Sequence, residues 1–215
     1  MISPIEITAS VQQLIDRIGS AYLHEIISVQ PDPAAKAGNS YVNVQHKVAK
    51  DGGNLVYGWA VWLGDFICEG EHYAVWEDEE GNLTDVTPHP GMPGQLLFIP
   101  DDRYVYEGKY ISNVRVSIGN NPLIGHFILL SEMKDFLKQF STRVDDDNIH
   151  FNTYTGNVYN HYNTLCDNLE LYMREGGKSG TPCYCKSSKP YSQCHGKNLL
   201  SAMEIDRTNV TKVNS

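Results

Sequence analysis

The chain contains no apolar run of about eighteen residues, the length that a bilayer-spanning helix needs, so no membrane segment is expected. Its first residues, MISPIEITASVQQLIDRIGS, lack a basic start followed by an apolar block and do not read as a secretion signal. Basic residues are outnumbered, 17 against 26 acidic ones. The resulting net charge of -9 opposes non-specific nucleic-acid binding, because like charges repel. The basic residues that do cluster, Lys178, Lys186, Lys189 and Lys197, confine contact with an acidic partner or RNA to the C-terminal region. Cysteine is scarce: five residues, three of them crowded into 183–194 with a histidine directly after. An odd count with that spacing points to reduced thiols in a cytoplasmic setting rather than a disulfide framework. No internal repeat or low-complexity tract is present.

What remains is ordinary globular material. An apolar content of 41% and a charged content of 20% suit a folded chain. The 215 residues suffice for one substantial core or for a domain with a small appendage. Apolar positions at Ile5, Ile7, Val11, Leu14, Ile15, Ile18, Tyr22, Leu23 and Ile26 predict an amphipathic helix within residues 5–27, starting near Thr8 or Ser10. After a Pro-rich loop, SYVNVQHKVAKDGG predicts a second helix, with Ser40 as N-cap, Tyr41, Val44 and Val48 on one face, and Gly52-Gly53 as its stop. The period then changes to two. NLVYGWAVWLG, DFICEGEHYAVWED, NLTDVTPH and GQLLFIPDD read as four antiparallel strands, with a further one in YISNVRVSIG. Two helices close the domain, in NPLIGHFILLSEMKDFLKQFS and NVYNHYNTLCDNLELYMREGG. By composition 176–182 is a linker, which divides the chain into an α+β domain (1–175), a module (183–198) and a tail (199–215).

That module is CYCKSSKPYSQCHGK. Cys183, Cys185, Cys194 and His195 offer three thiolates and an imidazole, the donor set of a closed tetrahedral zinc site. About twenty residues are too few for a hydrophobic core, so the metal would supply most of the folding free energy. The stretch resembles the SEC-C motif, the zinc-binding tail of the SecA translocation ATPase and of many otherwise unrelated bacterial proteins. All four ligand positions match, and Ser188 stands where glycine is usual. The resemblance implies a structural zinc ion and a role as an interaction patch for a protein partner.

A second resemblance concerns chemistry. Papain-like and transglutaminase-like enzymes order a cysteine at a helix start, a histidine on a following strand and an aspartate on the next. The helix end lowers the thiol pKa, the histidine takes its proton, and the aspartate fixes the imidazole tautomer. The same order runs through Ser40, His72 and Asp85, with His89 as a spare histidine. A turn centred at Glu80-Gly81 would pair Asp78 with Leu83 and Trp76 with Asp85, which sets His72 past Asp85, opposite about residue 89, unless the turn is centred elsewhere or bulged. The first 140 residues are similar to an uncharacterised bacterial family that often carries a SEC-C tail. The matching residues are Asn43, Val44, Gly52, Gly53, Tyr57, Gly58, Trp59, Glu69, Glu71, His72, Trp76, Asp85, Thr87 and Pro88. That family implies a cysteine two or three residues before Asn43, where this chain has Ser40. A serine there fits a replaced cysteine, a natural loss of activity that leaves a binding scaffold, or a plain N-cap.

Cys68, four positions before His72, reads as core despite sharing its face, and Cys166 lies on an apolar helix stripe. Trp59, Trp62 and Trp76 read as sheet core. Glu69 and Glu71 fit a solvated edge, the recognition of a substrate amine or the orientation of His72. The run Asp145, Asp146, Asp147 lacks the glycine and distal glutamate of a calcium loop and reads as solvated. The expectation is a papain/transglutaminase-like α+β fold, with an antiparallel sheet flanked by helices and a zinc knuckle at the C-terminus. The function expected from it is a cysteine-type amide hydrolase or acyl transferase, of the peptidase, deamidase or transglutaminase class, silenced by Ser40. The alternative is a non-enzymatic protein-binding module.

Overall fold

The first helix, α1 (Ala9–Ile18), is shorter than its apolar pattern suggests, and a single glycine is the reason. Thr8 caps its start, the hydroxyl accepting a hydrogen bond from the Val11 N–H. Gly19 stops it by adopting the left-handed conformation (φ 61°), its N–H bonding back to the Ile15 carbonyl. Beyond it the chain is not helical. Residues Glu25–Val29 form strand β1, with Ile27 buried and Ile26 exposed, the alternation of a strand.

The structure, a computed structural model, describes residues 1–143 and 149–215. The acidic run at Asp145, Asp146 and Asp147 lies outside them. The described residues fall into two compact units, which divide after Ile118.

In the first unit, α2 (Ser40–Asp51) is followed by β2 (Asn54–Leu63), β3 (Ile67–Glu77), β4 (Leu83–Asp85), β5 (Gln95–Pro100) and β6 (Val114–Ser117). The strands pair in the order β2-β5-β1-β4-β3-β6, and β2 also pairs with β3. Five strands therefore close into a barrel, and β6 continues the sheet from β3. The expected antiparallel sheet is present, with one departure: β1 pairs parallel to β4, Ser28 opposite Thr84 and Val29 opposite Asp85. β1 is the strand hidden in the helical pattern, and it supplies the stave that closes the barrel. Closure removes the unpaired edges that an open sheet would expose.

Alternation along β2 and β3 gives the wall two faces. Inside the barrel Ile27, Ala60, Trp62, Tyr73, Val75, Leu96 and Phe98 pack together. Gly58 also faces inward, because a methyl group there would collide with the Phe98 ring and the Ile99 carbonyl. Outside, Val11, Leu14 and Ile18 of α1 cover Trp59, Val61 and Cys68, while Val44 of α2 covers Ala74 and Val86. Each such aliphatic side chain taken from water stabilises the fold by roughly 1.5–3 kcal/mol.

The second unit contains α3 (Leu123–Lys138), α4 (Thr153–Arg174) and α5 (Leu199–Val213). The inward stripe of α3 includes Leu123, Phe127, Leu130, Met133 and Leu137, at helical spacing. The α4 stripe includes Tyr162, Cys166, Leu169 and Met173. The expected tail at 199–215 is largely α5, held to α4 by Tyr162, whose hydroxyl donates to Asp206 at 2.7 Å; Leu199, Met203 and Val210 are its buried positions.

Gly58→Ala tests the close packing inside the barrel. The added methyl forces Phe98 from its position and should destabilise the first unit by about 1–3 kcal/mol in urea denaturation. The double variant with Phe98→Leu should recover part of that loss.

Candidate functional site

The loop after β3 decides where Asp85 points. Asp78 Oδ1 accepts hydrogen bonds from the backbone N–H groups of Glu80 (3.0 Å) and Asn82 (2.8 Å), and Gly81 takes φ 85°. This side-chain cap fixes the loop at 78–82, so the strands pair Trp76 with Thr84 and Glu77 with Leu83. The expected pairing of Trp76 with Asp85 is off by one residue. A slip of one moves a side chain to the opposite face of a sheet. Thr84 thus shares the outer face with Trp76 and His72, and Asp85 turns inward with Tyr73.

The three residues of the expected triad consequently have separate partners. Asp85 is fully buried. Its Oδ1 accepts from the Thr87 N–H (2.9 Å) and the Tyr73 hydroxyl (3.2 Å), and its Oδ2 from His89 Nε2 (2.5 Å). His72 lies on the outer face among Tyr41, Tyr57, Trp59 and Tyr104. Its Nε2 donates to the Tyr104 carbonyl at 3.0 Å, and the Tyr41 hydroxyl sits 2.8 Å from its Nδ1. Both ring nitrogens are engaged, and a carbonyl rather than Asp85 fixes the tautomer. Burial pushes this imidazole down to about 4, outweighing the opposite pull of the Tyr104 hydrogen bond.

Ser40 is buried in the first turn of α2. Asn39, not Ser40, is the N-cap, and the Ser40 hydroxyl accepts from the Ala74 N–H at 3.4 Å. Among the described residues, 71–75 of β3 have no strand neighbour on that edge, since β4 pairs at 76–77 and β6 at 67–70. Ser40 satisfies one of the N–H groups in that gap. Nearby, Asn43 ties α2 to the rest of the unit, bonding both backbone groups of Lys36 and the Thr87 hydroxyl.

The spare histidine is the one that meets Asp85. His89 is held between Pro88 and Pro90, whose rings fix the backbone on either side. It packs against Trp62, with ring centroids 5.0 Å apart. Tyr73, Asp85 and His89 form a chain of hydrogen bonds, and burial together with the Asp85 charge holds the Tyr73 phenol far above its ordinary range. The D-V-T-P-H-P spacing is the sequence signal for this pair, since a turn at Thr87-Pro88 returns position i+4 to position i. Glu69 and Glu71 are also inward. Glu69 pairs with Arg115 at 2.6 Å, and the Trp62 indole donates to Glu71 at 2.9 Å. Neither carboxylate orients His72. Cys68 is core, and burial pushes its thiol up to about 11, which leaves it a poor nucleophile.

In the second unit the donor atoms of Cys183, Cys185, Cys194 and His195 all lie within 4.8 Å of one another. Cys183 Sγ is 3.2 Å from His195 Nδ1, and Cys194 Sγ is 3.5 Å from Cys185 Sγ and from His195 Nδ1. Bond lengths of ~2.3 Å to sulfur and ~2.0 Å to nitrogen give tetrahedral edges of ~3.5–3.8 Å, so the donors converge as a metal requires. The backbone prepares this. Cys183 N–H bonds the Lys189 carbonyl and Lys186 N–H the Cys183 carbonyl, while Lys186 and Ser188 adopt φ 61° and 60°. The left-handed turn at Ser188 explains why glycine suits that position. The Ser187 hydroxyl and N–H bring the Cys185 thiol down to about 7, whereas burial raises Cys183.

Residues 176–182 are strapped down rather than acting as a free linker. The Tyr172 hydroxyl reaches Thr181 Oγ1 (2.5 Å) and the carbonyls of Lys178 and Pro182, while Asn121 donates to the Gly177 carbonyl. Tyr191, buried under the knuckle, meets His126 of α3 through its hydroxyl at 3.1 Å. The cluster is thereby built onto the α3–α4 pair.

No protein-family model matches the chain, no curated protein matches it and no solved structure matches it. Among the described residues no helix is long and apolar enough to cross a membrane.

The low pKa of His72 sets a pH dependence. A folded value of about 4 against an ordinary 6.5 means that the unfolded chain takes up the proton first. The His72 contribution is therefore complete above pH 6.5 and is lost as pH falls toward 4, by roughly 2–3 kcal/mol. His72→Gln keeps a donor for Tyr104 and an acceptor for Tyr41 but cannot titrate. Urea denaturation at pH 7.5 and 4.5 should show the smaller loss in the variant.

Proposed function

We propose that this chain is a recognition protein whose C-terminal knuckle is held by structural zinc and docks an acidic surface of a protein partner. The observation that carries the reading is the convergence of three cysteine sulfurs and one imidazole nitrogen within 4.8 Å. Three thiolates and an imidazole complete a four-coordinate shell, and such a closed shell leaves no position for a substrate. The fit to the SEC-C pattern supports the same reading. Lys178, Lys186, Lys189 and Lys197 are all exposed around the cluster and would meet negative charge. Zinc bound there would screen the thiolates from one another and fix the knuckle; the residues themselves supply its second layer, with Ser187 donating to Cys194 at 3.3 Å.

A cysteine-type amide hydrolase or acyl transferase of papain/transglutaminase-like ancestry is the second reading. It is favoured by Ser40, which stands in the first turn of α2 against β3, where such enzymes carry their nucleophile. The contacts of His72 and Asp85 speak for a silent version of that site, because neither is arranged to take a proton from residue 40.

Two measurements separate the readings. Elemental analysis of freshly purified protein should find about one zinc per chain. Cys183→Ser or Cys194→Ser should abolish it and expose the amides of 183–198 to hydrogen exchange; full metal loss with unchanged protection would sink the structural role. In Ser40→Cys, a thiol-directed electrophile should modify residue 40 no faster than the buried Cys68, as read by peptide mapping. Preferential labelling of residue 40 would revive the hydrolase.

A further inference from the structure

The three cysteines of the knuckle differ in access. Cys183 is buried, Cys194 is half-buried and Cys185 is exposed. The Cys183 sulfur lies 3.2 Å from His195 Nδ1, and its backbone N–H is tied to the Lys189 carbonyl. His195 in turn packs against the Tyr184 ring, with centroids 4.6 Å apart. The Cys185 and Cys194 sulfurs, by contrast, meet at 3.5 Å in an exposed contact. A disulfide bond is about 2.0 Å long, so these two sulfurs need to close by only about 1.5 Å.

Access and proximity together select this pair. Thiols that bind zinc are held as thiolates, and a thiolate open to solvent is the one that a peroxide reaches first. Cys68 and Cys166, elsewhere in the chain, are buried. Oxidation then runs in two steps. The Cys185 sulfur attacks one oxygen of hydrogen peroxide; the S–O bond forms, the O–O bond breaks and hydroxide leaves, giving a sulfenic acid. The Cys194 sulfur attacks the Cys185 sulfur; the S–S bond forms, the S–O bond breaks and a second hydroxide leaves. Two protons from solvent turn both hydroxides into water. The sulfurs have lost two electrons and the peroxide has gained them. Cys183 and His195 remain, too few donors for a four-coordinate ion, so the knuckle loses its hold on zinc.

We propose that the knuckle is a peroxide-sensitive switch: oxidation joins Cys185 to Cys194, releases zinc and loosens the loop that presents Lys186 and Lys189. This regulation rests on the knuckle holding zinc.

The test uses the full zinc-loaded chain with hydrogen peroxide as probe. A chromogenic chelator reads released zinc, and non-reducing peptide mapping reads the disulfide. Zinc should leave in step with a Cys185–Cys194 linkage, about one ion per linkage, while amide exchange over 183–198 rises and Cys68 and Cys166 stay unmodified. A dithiol followed by added zinc should restore the starting state, which a sulfinic or sulfonic product would not allow. Cys185→His keeps a zinc ligand but cannot form the bond, and should release zinc at least about tenfold more slowly. Cys183→His keeps both partners of the bond and should release zinc as the unaltered chain does. Freshly purified protein without zinc would overturn the zinc reading and the switch with it. Zinc that is bound but retained under peroxide, a linkage through Cys183, over-oxidation of Cys185 without a disulfide, or release with unchanged exchange would overturn the switch alone. Those outcomes are read on the unaltered chain, so they decide the case whether or not either variant loads zinc.

Discussion

The wall of β3 is the constraint on which the first unit depends. Eleven residues in extended conformation must present one row of side chains to the barrel interior and the other to the helices. Every chemically interesting group nearby is assigned by that parity. His72 and Tyr73 are adjacent in sequence and on opposite sides of a sheet, so one imidazole is walled in by aromatic rings while its neighbour joins a buried carboxylate. The parity of β4 relative to β3 is set in turn by one side chain, Asp78, whose cap on Glu80 and Asn82 fixes the loop length.

This arrangement explains why the polar groups in the barrel wall are individually content and collectively not a relay. His72 is neutral, with a carbonyl on one nitrogen and a phenol on the other. Ser40 fills a gap in the hydrogen-bonding edge of β3, a structural task that a hydroxyl performs well. The second unit works by a different principle. Its small C-terminal knuckle has little apolar burial of its own beyond Tyr191 and Cys183. Four side chains able to hold a metal converge in it, and Tyr172 and Tyr191 anchor it to the helices beneath.

Legibility differed between the two units for physical reasons. The Cys183, Cys185, Cys194 and His195 set could be read because metal ligands are chemically rare and their spacing is local. The strands of β2, β3 and β5 could be read from their period of two, and the sheet-facing stripe Tyr41, Val44, Val48 from its period near four. β1 could not, since five residues after a helix carry too little periodicity to reveal a change of state. Its role as the closing stave depends on partners more than fifty residues away in sequence. Composition at 176–182 did not reveal the hydrogen bonds of the Tyr172 hydroxyl to that stretch, because glycine and serine describe what a backbone permits, not what a buried tyrosine holds in place.

By itself the sequence determined the local periodicities, the α+β class and the membership of the Cys3His cluster, all of which follow from residue type at short range. Only the tertiary structure decided which histidine meets Asp85. That choice turns on a one-residue register between β3 and β4, and hydrophobic patterns at either register look almost alike. The difference lies in a side-chain cap at the turn and in the closure of the barrel, which makes one face of the wall an interior.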